Sequence, residues 1–374
     1  MNSVISRQRR ALIMAGGTGG HVFPALAVAK ILQQRGWQVE WLGTENGIEA
    51  RVAPTNHFKL HCITAVGLRG KSLANLLVAP LYLMWALCQS LGVLFRYKPD
   101  VVLGMGGFAS APGGVSAFLL RIPLVIHEQN AVAGTTNRLL SALAGRVLSA
   151  FPSVFKNGEP VGNPVRDDIA ALLFEKNVAP SPDQQLRLFV LGGSQGARAL
   201  NNLLPSALAL LPDALRPEIF HQAGNNLLDE TRNNYQQAGV AARIEPFVDD
   251  MASMYRWADL AVCRAGAMTV SELACAQLPA LLIPLPSAID DHQTANAQWL
   301  VDAGAARLLP QATLTAEKLA ADLRDLIENR NVLEAMSHAM KSLAKPESAN
   351  VVADICESAS LKNNGKSIED RRHA

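Results

Sequence analysis

Four times along the chain, a short apolar run ends in glycine and gives way to residues that are apolar at helical spacing. The first run is Arg10–Met14, followed by AGGTGGHV and a predicted helix opened by Pro24. Val28, Ile31 and Leu32 form the inward stripe of that helix, and Gly36 is its expected cap. The second is Val101–Leu103, then GMGGFASAPGG and a helix through Phe118. The third is Leu186–Leu191, then GGSQGAR and a helix from Ala199. The fourth is Leu260–Cys263, then RAGAMT and SELACA, with a further strand at Ala280–Ile283. Strands that read as unbroken apolar runs are buried on both faces. Their alternation with helices predicts parallel βαβ units in doubly wound α/β sheets.

Between the second and third units the chain turns polar and proline-bearing, at Val161–Asp168 (VGNPVRDD) and Glu175–Gln185 (EKNVAPSPDQQ). The domain boundary is therefore placed near residue 166, and 374 residues suit two domains. The expected division is 1–166, then 167–345, then a polar segment 346–374. That segment is expected to pack partly on the N-terminal domain before a disordered tail from Leu361. Hydrophobic residues are 49% of the chain and aromatics 5%, so the core must be aliphatic. The cysteines (Cys62, Cys88, Cys263, Cys275, Cys356) are odd in number and form no C-x-x-C pair. This speaks against a disulfide framework or zinc site and for a reducing compartment. Arg7, Arg9 and Arg10 precede the apolar run Ala11–Ala15, too short for the core of a signal peptide.

Leu76–Phe95 is 20 residues without a charge, flanked by Arg69 and Lys71 on one side and Arg96 and Lys98 on the other. Length alone permits a membrane span. Pro80, Gln89, Ser90 and Gly92 interrupt it, however, and it lies inside an α/β unit. A core helix, or a helix with an apolar face touching a membrane surface, fits better. The net charge of +2 hides an asymmetry. Residues 1–166 carry 16 Lys+Arg against 6 Asp+Glu, and the remainder carries 18 against 26. The N-terminal half is thus suited to an anionic surface. No Arg/Lys run interleaved with aromatics points to nucleic acid.

Glycine turns after strands bring backbone N–H groups and a helix N-terminus toward an anion. Gly16–His21 and Gly192–Arg198 are both of this kind. Neither is a dinucleotide fingerprint, since Val22 and Gln195 stand where glycine is required, and Gly70-Lys71-Ser72 lacks the opening glycine of a Walker loop at Ala65. A nicotinamide oxidoreductase is therefore disfavoured. Within Ala258–Ala297, RAGAMTVSE sets Thr269 and Ser271 at a helix start as donors or caps. Glu272 lies one turn in, where a carboxylate can accept two ribose hydroxyls or face the helix dipole. Asp290, Asp291, His292, Gln293 and Asn296 follow the next strand, where ligands of open α/β sheets sit. Asp249 and Asp250 read as caps, and His127 as a core histidine at a strand end. No Asp-x-Asp pair occurs, so no bound metal is demanded.

GGTGGHVFPALAVA, VVLGMGGFASAPGG, HEQNAVAGTTNR, VGNPVR, LGGSQGAR and CRAGAMTVSE together closely resemble the peptidoglycan N-acetylglucosaminyltransferase family over residues 10 to 345. The linker 175–185, the loop PLPSAIDDHQ and the polar tail depart from its pattern, and Gln293 alone carries over there. The resemblance implies a GT-B fold, two Rossmann-like domains with the active site in the cleft. It implies UDP-N-acetylglucosamine as donor and lipid I as acceptor, with anionic inner-leaflet phospholipids and other cell-wall synthesis proteins as partners. No cofactor is implied, and the expected location is the cytoplasmic face of the inner membrane, as a peripheral protein. Carried over by motif, the donor site comprises Thr18, Gly19, Gly20, Asn130, Arg166, Ser194, Val248, Ala267, Met268, Thr269, Val270, Ser271, Glu272 and Gln293, with the first glycine loop also expected to work on the acceptor side. Glu272 is the ribose candidate, Ser194 and Arg166 the diphosphate candidates, and Val248 the position whose backbone reads uracil. An inverting displacement needs a base. His21 and Glu128 are the candidates, with binding of the acceptor pyrophosphate the alternative for His21. Another GT-B enzyme, such as a diacylglycerol glycosyltransferase or a UDP-N-acetylglucosamine 2-epimerase, and a non-catalytic UDP-binding scaffold remain open.

Overall fold

The structure is a computed structural model that describes residues 7–65, 73–175, 184–193 and 195–370, with no side-chain detail at 73–77, 79 and 362–370. Arg69, Lys71 and Ser194 lie outside the described residues, as does most of the polar linker after Glu175. The chain divides into two compact units, Met1–Arg166 with Glu347–Ala374, and Asp167–Pro346.

The first unit holds β1 (Arg10–Met14), β2 (Gln38–Gly43), β3 (Lys59–Cys62), β4 (Val101–Gly104), β5 (Leu124–Glu128), β6 (Arg146–Ser149) and β7 (Glu159–Pro160). They form one parallel sheet in the order β3-β2-β1-β4-β5-β6-β7. Its helices are α1 (Gly19–Gln34), α2 (Glu49–Thr55), α3 (Leu73–Tyr97), α4 (Ser110–Leu119) and α5 (Thr135–Leu140). The second unit holds α6 (Asp167–Ala170), β8 (Arg187–Leu191), α7 (Arg198–Ala209), β9 (Glu218–Gln222), α8 (Leu228–Gln237), β10 (Arg243–Glu245) and α9 (Met251–Trp257). It continues through β11 (Leu260–Cys263), α10 (Ala267–Cys275), β12 (Ala280–Leu282), α11 (His292–Asp302), β13 (Ala306–Leu308), α12 (Ala316–Glu328) and α13 (Arg330–Leu343). Its parallel sheet runs β10-β9-β8-β11-β12-β13. In both sheets the chain starts near the middle, winds outward to one edge, then returns to build the other. The reversals fall between β1 and β4 and between β8 and β11, the switch points where such sheets bind ligands.

The five strands expected from apolar runs are β1, β4, β8, β11 and β12. The first helix differs from expectation. Val22 N–H already bonds to the Thr18 carbonyl at 3.2 Å, so α1 opens at Gly19 and Pro24 lies in its second turn. The last helix, α14 (Ser348–Asp370), packs on α1 and supplies Val352, Ala353 and Cys356, all fully buried, to the core of the first unit. Its backbone is helical past Leu361, where polar composition had suggested a tail.

The apolar segment 76–95 falls within α3. Its later part packs inward through Ala86, Ser90 and Leu94, with Ser90 Oγ bonded to Ser116 Oγ of α4 at 2.6 Å. Its earlier part exposes Leu81 (73%), Tyr82, Leu83, Met84 (61%) and Trp85 (58%). Among the described residues no helix is long and apolar enough to cross a membrane.

Candidate active site

In the first unit, β1 delivers the chain to a turn whose shape is set by Gly17, at φ +88°. Thr18 follows in extended conformation as the α1 N-cap, its hydroxyl making no cap bond. Gly19, Gly20 and His21 form the first turn. His21 is half-buried, with Nδ1 3.3 Å from both the Gly16 carbonyl and Thr18 Oγ1. The loop after β4 presses on this turn. A Cβ at Gly107 would stand 2.3 Å from the Gly16 carbonyl oxygen, and one at Gly106 would stand 3.1 Å from His21 Nε2. The glycines of GMGG thus allow two strand-end loops to pack backbone to backbone.

At the end of β5, Glu128 is buried and its carboxylate is well supplied with donors. Oε1 accepts from the Asn130 N–H (3.0 Å) and Asn130 Nδ2 (3.3 Å), and Oε2 from the Gly134 N–H and Asn137 Nδ2, both at 3.0 Å. It organises the HEQN loop and carries Asn130 with it. His127 is a core histidine whose Nε2 bonds to the Gly162 carbonyl at 2.9 Å, and burial pushes its pKa down to about 4. Arg166, half-buried, ends this unit's first segment.

In the second unit, β8 leads into Gly192 and Gly193. Gly196 comes so close to the chain after β9 that a Cβ there would lie 2.0 Å from the Ala223 carbonyl oxygen. Gln222 is buried at the end of β9, and its amide Nε2 donates to the Gly193 carbonyl (2.9 Å) and the Pro246 carbonyl (3.1 Å). It ties the glycine loop to the segment that carries buried Val248. Asp250 then caps α9, accepting from the Ser253 N–H at 2.9 Å.

Helix α10 begins after Gly266, whose extended backbone serves as N-cap without a side-chain bond. Thr269 and Ser271 are therefore not caps, and the Ser271 hydroxyl donates back to the Ala267 carbonyl at 2.9 Å. Ala267 and Val270 are buried, while Met268, Thr269, Ser271 and Glu272 are half-exposed. Glu272 Oε2 accepts from the Tyr255 hydroxyl at 2.9 Å, which orients the carboxylate. Gln293 Oε1 accepts from the Leu285 N–H at 2.9 Å, leaving its amide nitrogen for other contacts. Arg264, beside this turn, donates to the Ile283 and Pro284 carbonyls.

The sequence reading missed Gln222, Tyr255 and buried Glu49, whose Oε2 accepts from the Gly17 N–H at 3.0 Å. Each acts by holding a loop or side chain distant in sequence, and spacing along the chain carries no mark of that. Among the described residues no cluster of three or more His, Cys, Asp or Glu side chains could hold a metal ion.

Two parallel doubly wound sheets with glycine turns at their switch points match the two domains of a glycosyltransferase family. Residues 11–149 match the glycosyltransferase family 28 N-terminal domain and residues 187–352 its C-terminal domain. The chain belongs to glycosyltransferase family 28, and the expected GT-B fold is borne out. A relative from Azotobacter vinelandii is 56% identical, over 92% of this chain and 97% of its own. One from Alkalilimnicola ehrlichii is 53% identical, again over 92% and 97%. Both are named UDP-N-acetylglucosamine--N-acetylmuramyl-(pentapeptide) pyrophosphoryl-undecaprenol N-acetylglucosamine transferase. The crystal structure of Acinetobacter baumannii MurG is 40% identical, with a TM-score of 0.80 over 94% of this chain and 99% of that one. A Neisseria meningitidis UDP-GlcNAc 2-epimerase, at 15% identity and TM-score 0.65 over 95% and 100%, shares the fold alone.

Proposed function

We propose that this chain transfers N-acetylglucosamine from UDP-N-acetylglucosamine to the 4-hydroxyl of the muramoyl sugar of undecaprenyl-pyrophosphoryl-MurNAc-pentapeptide, lipid I, giving lipid II. The observation that carries the reading is the more than 50% identity to transferases of that name over nearly the whole chain. The donor belongs to the second unit. Glu272, oriented by Tyr255, accepts the ribose hydroxyls, and the Val248 backbone reads the uracil edge. Ala267, Met268, Thr269, Val270 and Ser271 line the sugar diphosphate at the start of α10, where the helix dipole favours negative charge. Gln293 binds the sugar through its amide nitrogen, and Ser194 and Arg166 hold the diphosphate.

In the first unit, Thr18, Gly19, Gly20 and His21 serve the acceptor, and Asn130 is set for substrate by its bonds to Glu128. His21 is the base. Its Nε2 takes the proton of the acceptor hydroxyl as the oxygen attacks C1, the C1–O bond breaks, and UDP leaves with the bonding pair. Glu128, bonded to four donors, suits the holding of its loop better than proton transfer.

The protein is a peripheral one at the cytoplasmic face of the inner membrane, held by α3. The exposed apolar run Leu81–Trp85 and the exposed basic residues Arg96 and Lys98 support this reading, with anionic phospholipids as partners. Leu81→Ser with Met84→Ser should weaken binding to anionic vesicles about tenfold or more, since each buried side chain is worth about 1.5–3 kcal/mol. UDP affinity should not change. The function itself is tested with labelled UDP-N-acetylglucosamine and a lipid I analogue, where a β-linked disaccharide is the expected product. Epimerised or merely hydrolysed donor would overturn the assignment.

A further inference from the structure

Glu49, the first residue of α2, is wholly buried. Its Oε2 accepts from the Gly17 N–H at 3.0 Å, and its Oε1 from the Thr44 N–H at 2.9 Å and the Thr44 hydroxyl at 2.8 Å. A carboxylate out of reach of water needs such donors, because burial without them is very costly. Three glycines clear the space for it. A Cβ at Gly16 or Gly43 would lie 2.5 Å from its side chain, and one at Gly47 would lie 2.0 Å away.

The Gly17 N–H that Glu49 holds belongs to the same peptide group as the Gly16 carbonyl, which stands 3.3 Å from His21 Nδ1. One peptide therefore carries a carboxylate on its donor side and an imidazole on its acceptor side. We propose that Glu49 is a positioning residue for His21, acting through the Gly16–Gly17 peptide, an inference that rests on His21 being the base. Hydrogen bonds in series polarise one another, so the carboxylate at the N–H makes the carbonyl a stronger acceptor. A carbonyl can only accept. A bond to it keeps the proton on Nδ1 and leaves the Nε2 lone pair for the acceptor hydroxyl. The negative charge also favours the imidazolium once that proton arrives. The arrangement performs the orienting task of the carboxylate in a Ser-His-Asp triad, with a peptide interposed. The 3.3 Å separation is long for such a bond, as catalytic contacts often are before the reacting atoms are in place. Thr18 of the same loop and the Gly106 backbone from the loop after β4 also lie against the ring, and the first turn of α1 holds no acidic residue.

The test compares wild type, Glu49→Gln and Glu49→Asp by nitrogen-15 NMR of labelled histidine, with UDP affinity and thermal midpoint recorded alongside. Wild type should show His21 protonated on Nδ1, and a Gly17 amide proton shifted far downfield and slow to exchange. Glu49→Gln should mix the tautomers and lower the His21 titration midpoint. Its kcat should fall about tenfold, the worth of one charged hydrogen bond, at little changed acceptor KM and UDP affinity. Glu49→Asp, which keeps the charge, should restore the tautomer in part. An unchanged tautomer and midpoint in Glu49→Gln overturns the proposal even if turnover drops. If that variant does not fold, the wild-type Gly17 amide decides, and an ordinary shift with fast exchange overturns it. Normal turnover in His21→Ala would overturn the base reading, and with it the catalytic meaning of the link. The two failures appear in different measurements.

Discussion

The glycine loops after β1 and β8 occupy equivalent places in their sheets and are braced in opposite senses. Under the first lies a charged acceptor, Glu49, which takes up the Gly17 N–H. Under the second lies a neutral donor, Gln222, which takes up the Gly193 carbonyl. A fixed carboxylate beneath a loop repels an anion and favours a cation. The first loop therefore suits a histidine that must become protonated, and suits a pyrophosphate poorly. The second has no such charge among its described bonds and is free to receive a diphosphate. Two turns of nearly the same sequence type are thus assigned different chemistry by one buried side chain each.

The largest effect should come from the residue above the charged brace. His21→Ala should lower kcat by about 10²-fold or more across the whole acceptor range, with UDP affinity in calorimetry unaltered. A rise in acceptor KM at unchanged kcat would make His21 a ligand and undo the contrast between the loops. Next in size, Glu272→Ala should weaken UDP binding by about 1.5–3 kcal/mol, because a charged hydrogen-bonding group is lost. Calorimetry finding the affinity intact would remove Glu272 from the donor site. Exchanging the brace itself should do somewhat less. Gln222→Glu replaces two amide donations by a carboxylate under the donor loop, and UDP affinity should fall about tenfold. Should Gln222→Glu bind UDP as wild type does, the sign of the brace has no bearing on the ligand.

Much of the architecture was legible because strands buried on both faces must be apolar throughout, and β1 and β11 were bounded correctly on that basis alone. Strands that break the rule went unread. β2 carries the buried Glu40, paired with His61 of neighbouring β3, and β3 itself is largely exposed. Motifs likewise brought forward the residues of the two glycine loops and α10. Glu49 and Gln222 stayed hidden, since Glu49 meets Gly17 from 32 residues away and Gln222 meets Gly193 from 29.

The last effect, on stability and absent at neutral pH, concerns the cores behind the loops. His127 in the first unit and His221 in the second are both held neutral by burial, with pKa values pushed down to about 4 and about 3 from an ordinary 6.5. Below pH 6.5 the unfolded chain takes up protons that these folded sites refuse. The stability they contribute is therefore complete above that pH and is lost as pH falls toward 4 and 3. Each should add a slope of up to about 1.4 kcal/mol per pH unit. Urea unfolding of His127→Gln and His221→Gln should show a flatter acid limb than wild type. An unchanged slope would mean that the ring is charged inside the fold.

The return of α14 to the first unit has a bearing on how the chain is made. Val352, Ala353 and Cys356 complete a core begun by Ala11 and Ile13, and Ser348 Oγ closes on the Val161 carbonyl at 2.7 Å. During synthesis the second unit emerges whole, whereas the first waits with an apolar groove open beside α1 until α14 has emerged. The half that carries His21 is begun first and finished last. A nascent chain halted after Pro346 but before α14 presents a complete second unit and a first unit with its seam unsealed, exposing the kind of apolar surface that chaperones hold.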